Sequence, residues 1–267
     1  MTTLIHADGY DFLPGVSQYS GGVVASPRHR LVRVQYARPL ALDAGLRLAG
    51  ELIRAAGRPA SALAAVEMRS PAPFSDAGFA QLNTRYTELL AEIGVELVEG
   101  WNPIARSNVC PVRASVPEVS VHAFTFADSA PDAASGDYVV SGGAEAPEGR
   151  GGYEGHIVAF QDTSRAGLAR KAEFVAAEMQ RRREALGVGD RALSVLQVYS
   201  VHEVQEALDA IVLPRFELRA GANLIDARPP VVDLEFEMDC RSVTVELLAD
   251  PEHPTTALSA LSSEAVR

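Results

Sequence analysis

The chain has 267 residues and a net charge of −11, with 47% hydrophobic and 22% charged residues, the make-up of a soluble globular protein of one large or two ordinary domains. An acidic chain with no Lys or Arg cluster long enough to follow a phosphate backbone is not a nucleic-acid binder. No run of ~18 apolar residues is present to cross a bilayer.

Residues 1 to 30 are rich in Gly, Pro and Ser, and only Gly22 to Ala25 reads as a strand. Leu31 to Arg38 alternates apolar and polar residues, the period-2 signature of a strand. After Pro39, Asp43 is a plausible N-cap for a helix that Gly57 ends. Ala62 to Ser70 is a second strand, on which Glu67 and Arg69 share a face and are expected to pair. Ser75 or Asp76 caps a helix from Ala77 to Ile93, with Phe79, Leu82, Tyr86, Leu89 and Leu90 as its apolar stripe.

Asn102 to Phe126 then reads as two strands around a Pro-containing turn. Arg106 stands on the first, against an apolar background, and burying an unpaired guanidinium costs several kcal/mol or more. A protein carboxylate or a ligand carboxylate must therefore meet it. On the second strand, Ser120 and His122 alternate with Val119, Val121 and Ala123.

Beyond a short polar linker, Tyr138 to Ala144 and His156 to Phe160 read as strands around a Gly-rich turn. Thr163 or Ser164 caps a helix to Leu186, on which Arg181, Arg182 and Arg183 lie among glutamates and read as a solvated face. Leu193 to Val201 is a strand, Glu203 to Phe216 a helix, and Leu224 to Leu248 the final strands, with Arg228 in an Ala-Arg-Pro-Pro sequence. From Ala249 the periodicity is lost, as in a mobile tail. Met1 to Phe12 has no basic segment leading into an apolar core, so no signal peptide is expected. With Cys110 and Cys240 as the only cysteines, reduced thiols in the cytoplasm are the expectation.

Both halves thus run strand, helix, strand, helix, strand, strand, and each contains an Ala-Arg dipeptide before its last strands. The pattern divides the chain into a unit over 1–128, a linker over 129–136, a second unit over 137–249 and a flexible tail over 250–267. Each unit is α+β, a mixed sheet with two helices on one face. A two-layer unit leaves its other sheet face to be covered, so the halves pack together or the chain forms a homo-oligomer.

The first half, from the helix end Ile53-Arg54-Ala55-Ala56-Gly57 through Phe79 to Tyr86 to Ala105-Arg106-Ser107, resembles the RidA/YjgF reactive-intermediate deaminases. The second half resembles them more loosely, through Asp137 to Gly142, its long helix and Ala227-Arg228-Pro229. The resemblance implies two tandem RidA-like domains of the chorismate-mutase-like fold, a trimer, clefts between domains as sites, and no cofactor. It also implies hydrolysis of 2-imino or 2-enamino acids to 2-oxo acids and ammonia. The family arginine matches Arg106 and Arg228, and the common asparagine matches Asn83. The family's water-positioning glutamate falls on His122 in the first half. In the second half it falls nearest Asp239, with Glu237 as the alternative.

A bidentate arginine–carboxylate contact supplies both charge and geometry, so the substrate is expected to be a small carboxylate. Arg228 with Asp239 could bind it and orient water, or the two could form an ordinary ion pair. His122 is either a neutral acid/base or a hydrogen-bonded sheet histidine. Cys110, on the face of Arg106, is either substrate-binding or an inert buried thiol. Two readings of other classes stand beside the deaminase: a non-catalytic carboxylate-binding module, favoured by His122, and a chorismatase-like hydrolase or lyase acting on a cyclic carboxylate. The scattered histidines give no metal spacing, and the glycines form no nucleotide-binding loop.

Overall fold

A computed structural model of the chain describes residues 3–130, 136–150, 152–216, 218, 221–259 and 261. Thirteen strands among these residues form two mixed sheets, in an α+β architecture. The first half contributes β4 (His29–Ala41), β5 (Leu63–Arg69), β6 (Ala105–Pro111) and β7 (Ser120–Ser129) to a six-stranded sheet. The second contributes β8 (Tyr138–Ala144), β9 (Val195–Tyr199), β10 (Asn223–Ile225) and β12 (Glu237–Ser242) to a seven-stranded sheet.

Each sheet also borrows strands from the other half. The N-terminal β1 (Ile5–His6), β2 (Tyr10–Leu13) and β3 (Gly22–Ala25) extend the second sheet, β3 pairing antiparallel with β8. In return β11 (Ala227–Arg228) pairs with β6, and β13 (Val245–Ala249) lies parallel to β4. The order is therefore β11-β6-β5-β7-β4-β13 in one sheet and β1-β2-β3-β8-β12-β9-β10 in the other. The linker expected at 129–136 does not divide the sheets, and residues 131–135 lie outside the described residues.

Helices α1 (Leu42–Ala55) and α2 (Asp76–Ile93) bury Leu46, Ile53, Phe79, Tyr86 and Leu89 in one core with Val34, Val66 and Phe124 of the six-stranded sheet. Helix α3 (Arg165–Ala185), with the short helical run from α4 (Gln205–Ala207) through a π-turn to α5 (Leu213–Phe216), covers the other sheet through Val175, Met179, Val212 and Phe236. Ser75 and Ser164 cap α2 and α3, each accepting a hydrogen bond at 3.2 Å from the backbone N–H of Gly78 and Gly167. Helix α1 instead starts at Leu42 with no side-chain cap, and Asp43 sits in its first turn, where its charge favours the helix dipole.

The uncovered faces of the two sheets meet between β6 and β8. Ile5, Tyr10, Phe12, Val23, Leu31, Ala65, Ala105 and Ala127 fill an apolar cluster there. Beside it, the Arg106 N–H donates to Ser141 Oγ (3.0 Å), and Ser141 Oγ donates to the Ser20 carbonyl (2.6 Å), tying β6 to β8 and to the N-terminal segment.

Three expectations are corrected. His156–Phe160 makes turns rather than a strand, with Ala159 and Gln161 at positive φ (49° and 56°), which an extended chain cannot hold. The described residues beyond Ala249 are not without structure: Pro254–Leu258 forms a 3₁₀ turn and Leu258 is buried in the core with α1, while residues 260 and 262–267 of the expected tail lie outside the described residues. The three consecutive arginines are not one solvated face, because Arg182 and Arg183 are buried and only Arg181 is exposed.

The only lysine of the chain, Lys171 on α3, is wholly buried with Glu145, at 3.0 Å. Lys171 also donates to the Val158 carbonyl (3.0 Å), while the Glu145 carboxylate accepts from the backbone N–H groups of Glu235 (2.6 Å) and Phe236 (3.0 Å). Removing one partner of a buried pair leaves an uncompensated charge, at about 3–5 kcal/mol. Lys171→Met alone is therefore expected to destabilise by about that amount, and Glu145→Gln/Lys171→Met by clearly less. Denaturant unfolding of the two variants checks this.

Candidate functional site

Strand β6 enters the sheet one place from its edge and carries Arg106 beneath α2. The guanidinium is 4% exposed and donates from Nη1 to Asn83 Oδ1 at 2.8 Å. The rings of Tyr19, Tyr86 and Phe79 pack on it, with centroids 4.4, 4.9 and 5.7 Å from Cζ. Among the described residues no carboxylate pairs with it. Aromatic contact and one neutral amide do not compensate a buried guanidinium as an anion does.

A pocket of about 40 Å³ opens beside it, lined by Arg106, Asn108, Gly142, Glu148, Tyr153 and Glu237 among others. It adjoins a larger cavity of about 530 Å³, and Tyr19, Phe79, Glu148 and Tyr153 line both. Asn83 and Trp101 line the outer cavity. Three buried donors near Arg106 lack partners among the described residues: Asn108 Nδ2 and the hydroxyls of Ser107 and Tyr86. An unmet buried donor costs about 1–3 kcal/mol, so a pocket lined by one favours an acceptor-bearing ligand.

Glu237 begins β12 and reaches the pocket from the opposite sheet. Its Oε1 lies so close over Gly142 that a Cβ there would sit 2.5 Å from it, so an alanine at 142 would push the carboxyl aside. The carboxyl makes no ion pair or hydrogen bond with any described residue, and its pKa is pushed well above the usual carboxyl range. Burial is the first cause, followed by the charges of Asp239 and Glu145, with Arg106 opposing. Burial thus favours the protonated form of Glu237, against the pull of the unpaired arginine that it faces.

Of the residues singled out in the sequence, the structure brings together Arg106, Asn83 and Glu237. Cys110 is buried farther along β6, and its thiol is pushed up to about 12 by burial and then by the Glu237 carboxyl, so it is an inert thiol. Arg228 does not meet Asp239. It pairs with Glu235 at 2.6 Å, and Glu235 also binds His202 Nε2 at 2.7 Å. Asp239 instead accepts a 2.6 Å hydrogen bond from the Tyr199 hydroxyl, between the sheets.

That inter-sheet region is a second polar cluster, and His122 belongs to it. Glu67 does not pair with Arg69 but takes two hydrogen bonds from Arg33, at 2.6 and 2.8 Å. Arg69 donates to the Met68 carbonyl, and Glu246 bridges Arg33 and Arg241. Burial raises the Asp239 carboxyl to about 6, with Glu67 adding to it. His122 is lowered to about 4 by burial and then by Arg69, so it is neutral and remote from Arg106.

Tyr19, Asn108, Glu148 and Tyr153 complete the site and went unnoticed in the sequence. Tyr19, Glu148 and Tyr153 come from irregular segments, where no periodicity marks a side chain as inward. Asn108 carried a usable signal, being two residues from Arg106 on the same strand face.

A sequence model of the family described as 2-aminomuconate deaminase CnbZ matches residues 2–247. The chain belongs to that family. Over 239 residues it is 36% identical to the 2-amino-5-chloromuconate deaminase of Comamonas testosteroni, covering 89% of this chain and 95% of that protein. A chorismatase crystal structure resembles it with a TM-score of 0.51, covering 91% of this chain and 90% of the other at 13% identity, a likeness of fold alone. The chain thus belongs to a family of deaminases and has a mixed α+β fold. No described helix is long and apolar enough to cross a membrane.

The shifted histidine gives a stability test that separates the two clusters. The His122 pKa falls from 6.5 to about 4 on folding, so between these values the unfolded chain binds more protons. This contribution is complete above pH 6.5 and is lost as pH falls toward 4, by an amount on the order of 3 kcal/mol. His122→Gln should flatten that part of the stability profile relative to wild type, as unfolding between pH 7.5 and 5 would show, and should leave activity at pH 7.5 nearly unchanged.

Proposed function

We propose that this protein hydrolyses a 2-aminomuconate-type enamine, a six-carbon unsaturated diacid, to the 2-oxo diacid and ammonia. The reading extends the family resemblance to RidA-type imine and enamine chemistry. It rests on one observation above all: a buried arginine without a carboxylate partner shares a pocket with a buried carboxyl that has no ion pair or hydrogen bond with any described residue.

The C1 carboxylate binds the free edge of Arg106 and takes the Asn108 amide as a further donor. Asn83 and the three rings keep the guanidinium from turning toward another partner. The rest of the chain of the diacid extends into the larger cavity, past Tyr19 and Tyr153.

Glu237 gives its proton to the enamine carbon, leaving an iminium at C2 and a Glu237 carboxylate that Arg106 stabilises. Water adds to C2 while that carboxylate takes its proton, forming a neutral carbinolamine. Glu237 then protonates the nitrogen, the C–N bond breaks with its electron pair leaving on ammonia, and the proton of the hydroxyl returns to Glu237 as the 2-oxo group forms. One enamine and one water give one oxo acid and one ammonia, and Glu237 ends protonated. Substitution by His122 in the first half had favoured a non-catalytic module; an acid supplied from the second half meets that objection.

The experiment is ammonia release from enzymatically generated 2-aminomuconate, against its spontaneous decay. Arg106→Ala should raise KM and lower kcat/KM by about 100-fold, the loss of a charge-assisted pair. Glu237→Gln should lower kcat by about 100- to 10,000-fold with KM little changed, the range for a general acid/base. Because Glu237 works in its protonated form and burial raises its pKa, wild-type kcat should fall as pH rises through that raised pKa, and Glu237→Gln should abolish this fall. Decay at the buffer rate in wild type would remove this reading.

A further inference from the structure

Glu148 lies in the segment after β8 and lines both the inner pocket and the outer cavity. Its Oε1 carries two contacts: the Tyr19 hydroxyl donates to it at 3.0 Å, and Arg182 Nη2 pairs with it at 2.9 Å. Arg182 is itself 2% exposed and fixed by Glu178 at 2.8 Å and by the Ser141 carbonyl at 3.3 Å, so the carboxylate is held from behind by an immobile cation. Oε2 receives no hydrogen bond from any described residue, while the side chain keeps 22% exposure toward the cavity.

The inner pocket therefore contains three charged or chargeable groups with different tasks. Arg106 is a cation without an anion. Glu237 is a buried carboxyl that makes no ion pair or hydrogen bond with any described residue. Glu148 is a carboxylate with one oxygen engaged and one free. The carboxyl groups lining this pocket, among the described residues, are Glu148 and Glu237. A substrate with a carboxylate and an amino group on adjacent carbons complements an arginine and a free carboxylate oxygen in one pocket.

We propose that Glu148 is the subsite for the substrate's amino group, its free oxygen pairing with the nitrogen as that nitrogen becomes an iminium. The inference rests on the deaminase reading above and deepens it. Positive charge develops on nitrogen when Glu237 protonates the enamine carbon, and a fixed carboxylate beside it stabilises that charge more than the neutral ground state. The same contact selects an amino diacid over a diacid with oxygen or hydrogen at C2, including the oxo product. Tyr19 acts as a positioning residue, since it both stacks on Arg106 and holds Glu148 Oε1.

The test compares two stable ligands by calorimetry: hexanedioate, and 2-aminohexanedioate, whose ammonium group carries the charge of the iminium. Wild type should prefer the amino diacid, and Glu148→Gln should cut that preference by about 10- to 100-fold while hexanedioate binds as before, the loss expected for a hydrogen bond to a charged group. Tyr19→Phe keeps the Glu148 charge and should keep most of the preference, and circular dichroism confirms that each variant is folded. In turnover, Glu148→Gln should lower kcat with a smaller change in KM, opposite to Arg106→Ala. A preference that survives in Glu148→Gln, or an equal loss of both diacids, overturns the proposal. Failure of wild type to release ammonia from 2-aminomuconate, with the Glu148-dependent preference intact, would instead remove the reaction and leave the amino subsite standing.

Discussion

The Glu145 carboxylate is the constraint on which the site depends. It is buried without exposure, neutralised by the only lysine of the chain, and bound by the backbone N–H groups of Glu235 and Phe236. Those two residues lead directly into Glu237. Lys171 in turn fixes the Val158 carbonyl, closing the segment that carries Glu148 and Tyr153 along the cavity wall. One ion pair thus sets the start of β12, the end of β8, helix α3 and the outer wall of the pocket. It also adds negative potential at Glu237, after desolvation and Asp239, so the contact that positions the acid helps to keep it protonated.

Burial does opposite things to the two polar clusters. Between the sheets, Arg33 and Glu67 satisfy each other with two hydrogen bonds, and the Glu67 carboxyl is held far below the usual range despite its desolvation. Charges that complete one another there make a structural network. Around Arg106 the pairing stops short: an amide and aromatic rings hold the cation, and Glu237 faces it without bonding to it. Buried groups left unpaired in a pocket, rather than buried groups as such, separate the candidate site from the scaffold.

Much of the fold was legible because it is local. The strands β4 and β5 show in alternation, and Ser75 and Ser164 announce their helices by cap chemistry. Arg106 was legible because a cation stands out on an otherwise apolar strand, and Asn83 through the family resemblance. The exchange of strands between the two sheets was not, since pairing of β3 with β8 or β13 with β4 joins segments distant in sequence and leaves no periodic trace. Glu237 and Asp239 share one face of β12, so alternation could not choose between them; only the crossing of the sheets puts Glu237 at Arg106 and Asp239 at Tyr199. The arginine run held a signal that composition hides. Three consecutive helical residues span roughly 200° of the helix, so they point in different directions and need not share one environment.

The two arginines of the repeated pattern meet different surroundings. Arg228 is 38% exposed in its side chain and already neutralised by Glu235, which His202 also holds. Arg106 is buried and carries no such partner. The acids are distributed in the reverse sense: the first half has a neutral histidine at the matching strand position, while the second brings Glu237 and Glu148 to Arg106. The second half keeps its arginine, but Glu235 already neutralises it, so neither half by itself sets an unpaired cation beside the acid that the proposed chemistry requires. A complete site then forms only where the sheets pack face to face and bring the unpaired arginine of one half to the acid of the other. That packing, anchored by Ser141 between Arg106 and Ser20, is what the exchange of strands secures.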